Sequence, residues 1–173
     1  MEGRLEDAIR TIPDFPKPGI QFKDINPLFA DPVAYKEAID RISQLYEPST
    51  YDRIGAFDAR GFLFGAAMSY ATGKPLFLLR KRGKLPYETV VQEYSLEYGT
   101  AALEAQADAV RHGERVLLVD DVLATGGTMR AGCDLVERLG GTITGCATLI
   151  ELDGLGGRER LSGYETKSIL HYE

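Results

Sequence analysis

Val116-Leu117-Leu118-Val119-Asp120-Asp121-Val122-Leu123-Ala124-Thr125-Gly126-Gly127-Thr128 is an apolar run that ends in two adjacent carboxylates and then passes through a loop of small residues. Arg115–Val119 reads as a strand buried on both faces, the habit of a parallel sheet. Thr128–Leu139 reads as the helix that follows. In an open α/β sheet, ligands sit beyond the carboxyl ends of the strands, so the loop between strand and helix is the expected binding position. Gly126 and Gly127 let the backbone approach a ligand closely. Thr125, Thr128 and the free N–H groups of the helix start form an anion site. Asp120 and Asp121 repel an anion and must face something else, and the vicinal hydroxyls of a ribose or a hydrated Mg²⁺ are the natural partners. Capping a turn explains one Asp, but not two followed by T-G-G-T. The chain has no G-x-x-x-x-G-K-[ST] and no G-x-G-x-x-G, so the other phosphate loops do not compete.

Outward from this turn, strands and helices alternate. Arg53–Phe57 and Pro75–Leu79 read as strands with a helix over Gly61–Ala71 between them. Thr142–Glu151 and Thr166–Leu170 read as later strands, with a short helix over Gly156–Leu161. This alternation implies an α/β fold with a mostly parallel twisted sheet flanked by helices. Near the start, Leu5, Ala8, Ile9 and Ile12 share one face of a helix expected over Arg4–Thr11. Pro13, Pro16, Pro18 and Pro27 then prevent helix, until Asp31 caps one with Pro32 at its first position, running to about Tyr46. Arg80–Thr100 is polar and Tyr-rich, holds Gly83, Pro86 and Gly99, and has no helical period. It reads as a long loop, and loops of that length inside a domain are usually functional.

The 173 residues suit one domain, by the prior of roughly 100–200 residues each. A net charge of −6 counts against nucleic acid as a partner, since such binders carry a basic face. Cys133 and Cys146 show no metal-ligand spacing and read as reduced thiols. With only His112 and His171 to offer imidazole, a zinc site is not expected. The first residues are charged (Glu2, Arg4, Glu6, Asp7), and no apolar run approaches the roughly 20 residues of a membrane span. The expected location is cytoplasmic, with no membrane partner.

The strand, the paired acids and T-G-G-T resemble the phosphoribosyl-pyrophosphate (PRPP) motif of type I phosphoribosyltransferases. Four further segments resemble the adenine phosphoribosyltransferases within that family: the arm Ile12–Ile25, Phe57–Gly65, Leu79–Pro86, and Tyr94–Gly99 with Leu149–Leu152. The resemblance runs from Ile12 to the closing Leu170-His171-Tyr172-Glu173. It implies a single domain over residues 1–173, with a base-binding arm at 1–30 and a flexible hood loop at 80–100. Many relatives carry Arg where this chain has Lys23, and Glu where it has Asp58.

The resemblance also implies roles. Asp120 and Asp121 hold the ribose hydroxyls, and Ala124, Thr125, Gly126, Gly127 and Thr128 hold the 5′-phosphate. Arg60, Arg80, Lys81 and Lys84 face pyrophosphate, with Arg80 reaching it across a dimer interface. The base lies between Phe22 and Leu152 and bonds the backbone around Gln21 and Lys23. Glu97 and Tyr98, in the hood, lie near the base. An Arg at a helix N-terminus opposes the macrodipole, so Arg60 suits a site where pyrophosphate lies between the two. The implied reaction takes adenine and PRPP to AMP and pyrophosphate with Mg²⁺, in a homodimer serving purine salvage. Its transition state has oxocarbenium character, Glu97 handles the proton, and the hood excludes water. The alternatives are an enzyme for another purine (xanthine, guanine or hypoxanthine) and a PRPP-sensing nucleic-acid-binding regulator.

Overall fold

The computed structural model describes residues 3–96 and 99–173, which divide into two compact units, residues 1–41 and 42–173. In the first, helix α1 (Gly3–Asp7) is followed by an antiparallel pair, β1 (Arg10–Pro13) and β2 (Gln21–Asp24), in which Ile12 faces Phe22. The helix expected to reach Thr11 therefore stops at Asp7. The β-branched Thr11 and Ile12 favour a strand, and Arg10 Nη2 reaches Asp24 Oδ2 at 2.6 Å to fasten it to β2. Helix α2 (Asn26–Ala30) contains Pro27, which was expected to prevent helix. It sits in the first turn, where a missing N–H leaves no bond unmade. Helix α3 (Pro32–Ser43) starts as expected, with Asp31 Oδ1 accepting the N–H groups of Val33 (2.9 Å) and Ala34 (3.2 Å).

Helix α3 ends at Ser43 and does not reach Tyr46. Tyr46 serves the second unit instead. Its ring lies against Gly145, and its hydroxyl donates to the carbonyls of Cys146 (3.3 Å) and Glu165 (3.0 Å). Burial pushes that phenol well above the ordinary tyrosine range, so it stays a donor.

The second unit is a seven-stranded sheet flanked by helices. Its strands are β3 (Arg53–Phe57), β4 (Leu76–Lys81), β5 (Thr89–Ser95), β6 (Thr100–Gln106), β7 (Arg115–Leu123), β8 (Thr142–Leu152) and β9 (Thr166–Tyr172). Their order across the sheet is β5-β6-β4-β3-β7-β8-β9, and β4, β3, β7, β8 and β9 run parallel. Val116–Val119 at the centre is fully buried, as a run covered on both faces must be. Helix α4 (Gly61–Thr72) links β3 to β4, and α5 (Gly127–Arg138) links β7 to β8. The short α6 (Gly157–Arg160) lies between β8 and β9.

Within the stretch at 80–100, expected to be a long loop, Thr89–Ser95 forms strand β5. β5 and β6 pair antiparallel from Thr89 opposite Gln106 to Ser95 opposite Thr100, and β6 joins β4. β5 is half-exposed along its length, so it lacks the clean apolar alternation by which a strand is recognised in sequence. Its β-branched and aromatic residues still favour pairing.

Helix α5 approaches the sheet at Gly132, where an added Cβ would lie 2.4 Å from Phe57 Cζ. Gly132→Ala should therefore destabilise the protein by about 1–3 kcal/mol in urea unfolding, the usual consequence of overpacking. In an open helix interior the same change would stabilise by about 1 kcal/mol, so the sign of the effect tests the contact.

Candidate active site

Because β3, β4, β7 and β8 are parallel and in register, their last residues share one edge of the sheet. Asp58 and Arg60 follow β3, Arg80 and Lys81 end β4, Asp120 and Asp121 lie near the end of β7, and Leu152 ends β8. The fold thus gathers residues that are far apart in sequence.

Beyond Asp121, residues 122–129 wrap a small cavity of about 90 Å³ bordered by Asp120, well above the roughly 10–15 Å³ that one water needs. Gly126 adopts φ +85° at the start of α5, a conformation natural to glycine. Glycines also let another element approach the loop. A Cβ on Gly126 would meet the Gly157 carbonyl oxygen at 2.8 Å, and one on Gly157 would meet the Ala124 oxygen at 2.4 Å. The start of α6 therefore braces the loop by backbone contact. A positive helix end, two threonines and open amides give the loop the chemistry of a phosphate receptor.

The two acids differ. Asp121 is buried and accepts from Arg60 Nε at 2.5 Å. Asp120 Oδ1 accepts the Asp121 N–H at 2.8 Å and lies 2.7 Å from the Cβ position of Gly61. Any side chain at 61 would displace it. Burial drives Asp120 well above the ordinary carboxylate range, and the Asp121 carboxylate adds to the rise, against smaller pulls from the Asp121 N–H and then Arg60.

Asp58 pairs with Arg80 (Nε to Oδ2, 3.0 Å) while Arg60 pairs with Asp121. Lys81 and Lys84 extend into solvent and form no ion pair among the described residues. The turn that carries Lys84 is nevertheless held. Glu104, buried on β6, accepts the N–H groups of Lys84 (3.0 Å) and Leu85 (2.7 Å). Burial would raise the pKa of that carboxylate, but these amides outweigh it and hold it below the ordinary value. Leu152 is half-buried. Gln21, Phe22 and Lys23 lie on β2 in the first unit, where Phe22 meets Phe15 edge-on at 5.1 Å and Lys23 Nζ donates to Thr11 Oγ1 at 2.8 Å. Glu97 and Tyr98 lie outside the described residues.

Reading the sequence missed Gly61, Tyr94, Gly157 and Arg160. Tyr94 on β5 places its hydroxyl 3.2 Å from Thr128 Oγ1, and Arg160 Nη1 lies 3.0 Å from the Cβ position of Gly127. Only the closely spaced glycines around α6 offered any signal. Glu151, Asp153 and His171 form the one three-residue group of possible metal ligands among the described residues. Glu151 already accepts two bonds from Arg158 (2.9 and 2.5 Å), and His171 pairs with Asp153 at 2.9 Å.

The phosphoribosyl transferase domain family matches residues 28–171. The chain is 53% identical to the adenine phosphoribosyltransferase of Kosmotoga olearia, over 97% of this chain and 99% of that one. It is 52% identical to that of Nitrosococcus oceani, over 98% and 99%. Among solved structures it is similar to the adenine phosphoribosyltransferase of Thermoanaerobacter pseudethanolicus, with a TM-score of 0.96 and 47% identity over 99% of this chain and 100% of that one. The Saccharomyces cerevisiae adenine phosphoribosyltransferase, complexed with adenine and D-2,5-dideoxy-2,5-imino-altritol 1,6-bisphosphate, has a TM-score of 0.92 and 35% identity over 97% of each chain.

The raised Asp120 carboxyl has a consequence for stability. A group whose folded pKa lies above its unfolded value, about 3.9 for Asp, stabilises fully below that value. That contribution is lost as pH rises through the folded pKa. The Asp120 carboxyl therefore contributes less stability at pH 7 than in acid. Asp120→Asn keeps the acceptor for the Asp121 N–H and removes the charge, so it should raise the melting temperature at pH 7 and flatten its decline between acid and neutral pH. A lower melting temperature at pH 7 would show that the ionised carboxylate supports the fold.

Proposed function

Because the chain belongs to the adenine phosphoribosyltransferases of the phosphoribosyl transferase family, we propose that the turn Asp120–Thr128 holds PRPP for attack by adenine. The reaction transfers the 5-phosphoribosyl group to adenine, giving AMP and pyrophosphate. One observation carries the assignment of roles: a phosphate-sized cavity and two crowded carboxylates stand side by side at the end of β7.

Ala124, Thr125, Gly126, Gly127 and Thr128 take the 5′-phosphate through amides, hydroxyls and the positive end of α5. Asp120 and Asp121 accept hydrogen bonds from the ribose hydroxyls. As the bond from C1′ to pyrophosphate breaks and the bond to adenine N9 forms, positive charge develops at C1′, and the carboxylates favour it through their field. Arg60, Arg80, Lys81 and Lys84 stabilise the departing pyrophosphate. Asp120 and Asp121 offer carboxylate oxygens beside the phosphate loop, so the donor set suits a hydrated Mg²⁺ held mainly by PRPP. That ion would neutralise charge on the leaving group. Gln21, Phe22, Lys23 and Leu152 are the proposed adenine contacts, Glu97 accepts the N9 proton, and the hood that includes Tyr98 shields the reacting centre from water. The product places the enzyme in purine salvage, and the free buried thiols of Cys133 and Cys146 suit the cytoplasm.

We also infer a homodimer. Helix α4 is apolar on every side, yet Leu63 is 44% and Tyr70 93% exposed, with Ala66 exposed between them. A helix of that composition is normally covered, and a second copy covers it through a self-complementary face.

Two measurements test these readings. With PRPP and Mg²⁺, pyrophosphate release should be at least tenfold faster with adenine than with hypoxanthine, guanine or xanthine. Equal turnover of an oxopurine would remove the adenine assignment. In sedimentation equilibrium the protein should weigh twice its chain mass, and Tyr70→Asp should weaken association by at least tenfold. A monomer at micromolar concentration would end the dimer reading.

A further inference from the structure

The phosphate cup holds amides, hydroxyls and a helix end, but no cation. Residues 122–129 include neither Lys nor Arg, and the acids just upstream carry the wrong sign. A phosphate monoester carries about −1.5 to −2 charges at neutral pH. A side chain of opposite charge reaches the loop from elsewhere in the chain. Helix α6 is locked beneath the loop by the contacts of Gly157 with Ala124 and Gly126, and its last residue is Arg160. That side chain folds back over Gly127, while Tyr94 closes on Gly127 with its ring 3.3 Å from the same Cβ position. Arg160 and Tyr94 line one cleft with Thr125, Gly127 and Thr128.

The other arginines near α6 are engaged: Arg158 bonds Glu151, and Arg130 bonds Asp134 at 3.1 Å. The Arg160 guanidinium forms no hydrogen bond or ion pair among the described residues. We propose that Arg160 is the cation of the 5′-phosphate site, and that Tyr94 orients the Thr128 hydroxyl toward the same phosphate. The two hydroxyls lie 3.2 Å apart, and in this proposal Tyr94 is the donor, which leaves the Thr128 hydrogen for the ligand. The glycine at 127 is then required because an Arg and a Tyr meet over its Cα. This inference rests on the reading that the loop takes the 5′-phosphate.

The test uses Arg160→Gln, Arg160→Lys and Thr128→Val in the full chain, each checked for native circular dichroism. Calorimetric titrations with ribose 5-phosphate and with pyrophosphate are run separately. Arg160→Gln should weaken ribose 5-phosphate roughly 10–150-fold, the range of a lost charged hydrogen bond, and raise KM for PRPP to match. Pyrophosphate affinity and KM for adenine should stay within about twofold, and Lys at 160 should recover most of the loss. If Thr128→Val weakens ribose 5-phosphate while Arg160→Gln does not, Arg160 is no phosphate ligand and the loop reading stands. An equal loss of both ligands in Arg160→Gln would show a collapsed loop and also overturn the proposal. If Thr128→Val binds ribose 5-phosphate as the wild type does, the loop reading falls and this inference falls with it.

Discussion

Two carboxylates side by side at the end of a buried strand repel each other, and the chain holds them there only because a guanidinium faces one and a glycine makes room for the other. Arg60 reaches Asp121 at 2.5 Å, and Gly61 leaves Asp120 the space a methyl group would take. Both residues stand at the start of α4, so the register of β3 against β7 sets the geometry of the acids. A slip of one residue in that pairing would exchange the faces of the sheet that the two acids occupy. The parallel sheet therefore does more than support the site, because its hydrogen-bond ladder fixes which charges meet.

How much of this was legible in the sequence follows from burial. Strands β3, β7 and β8 are covered by packing, so their apolar runs are continuous in the chain, but β7 runs to Leu123, past the Val119 at which the apolar run meets the acids, because pairing with β8 continues through Leu123. The hairpin of β5 and β6 lies toward the edge of the sheet and mixes Gln, Glu and Tyr with Val, a pattern indistinguishable from a polar loop until its partner is known. β1 was hidden by an accidental helical spacing of Leu5, Ala8, Ile9 and Ile12. The phosphate loop announced itself because its chemistry is contiguous. Arg160 and Gly157 did not, since their part depends on α6 folding back onto a loop some thirty residues earlier.

Charge is also distributed with a purpose. The chain is acidic overall, yet Arg60, Arg80, Lys81, Lys84 and Arg160 are associated with the loops and sheet edge around the phosphate turn. An anionic substrate approaching such a molecule is repelled by most of the surface and attracted by one region, which favours productive encounters over random ones. Salt within the ordinary range would weaken that guidance, because the field of exposed charges decays over about 10 Å at 0.1 M ionic strength.

Helix α5 meets two different demands at its two ends. Its first turn carries the phosphate loop, and in its last turn Arg138 Nη1 donates to the Val91 carbonyl at 2.6 Å and to Gln92 Oε1 at 3.3 Å. β5 is the outermost strand of the sheet on that side, the kind of strand on which a stray chain adds itself to form an aggregate. A long cation held across its backbone makes that growth harder. The helix that receives the substrate thus also keeps the sheet from extending, and solubility and substrate binding are tied to a single element of the fold.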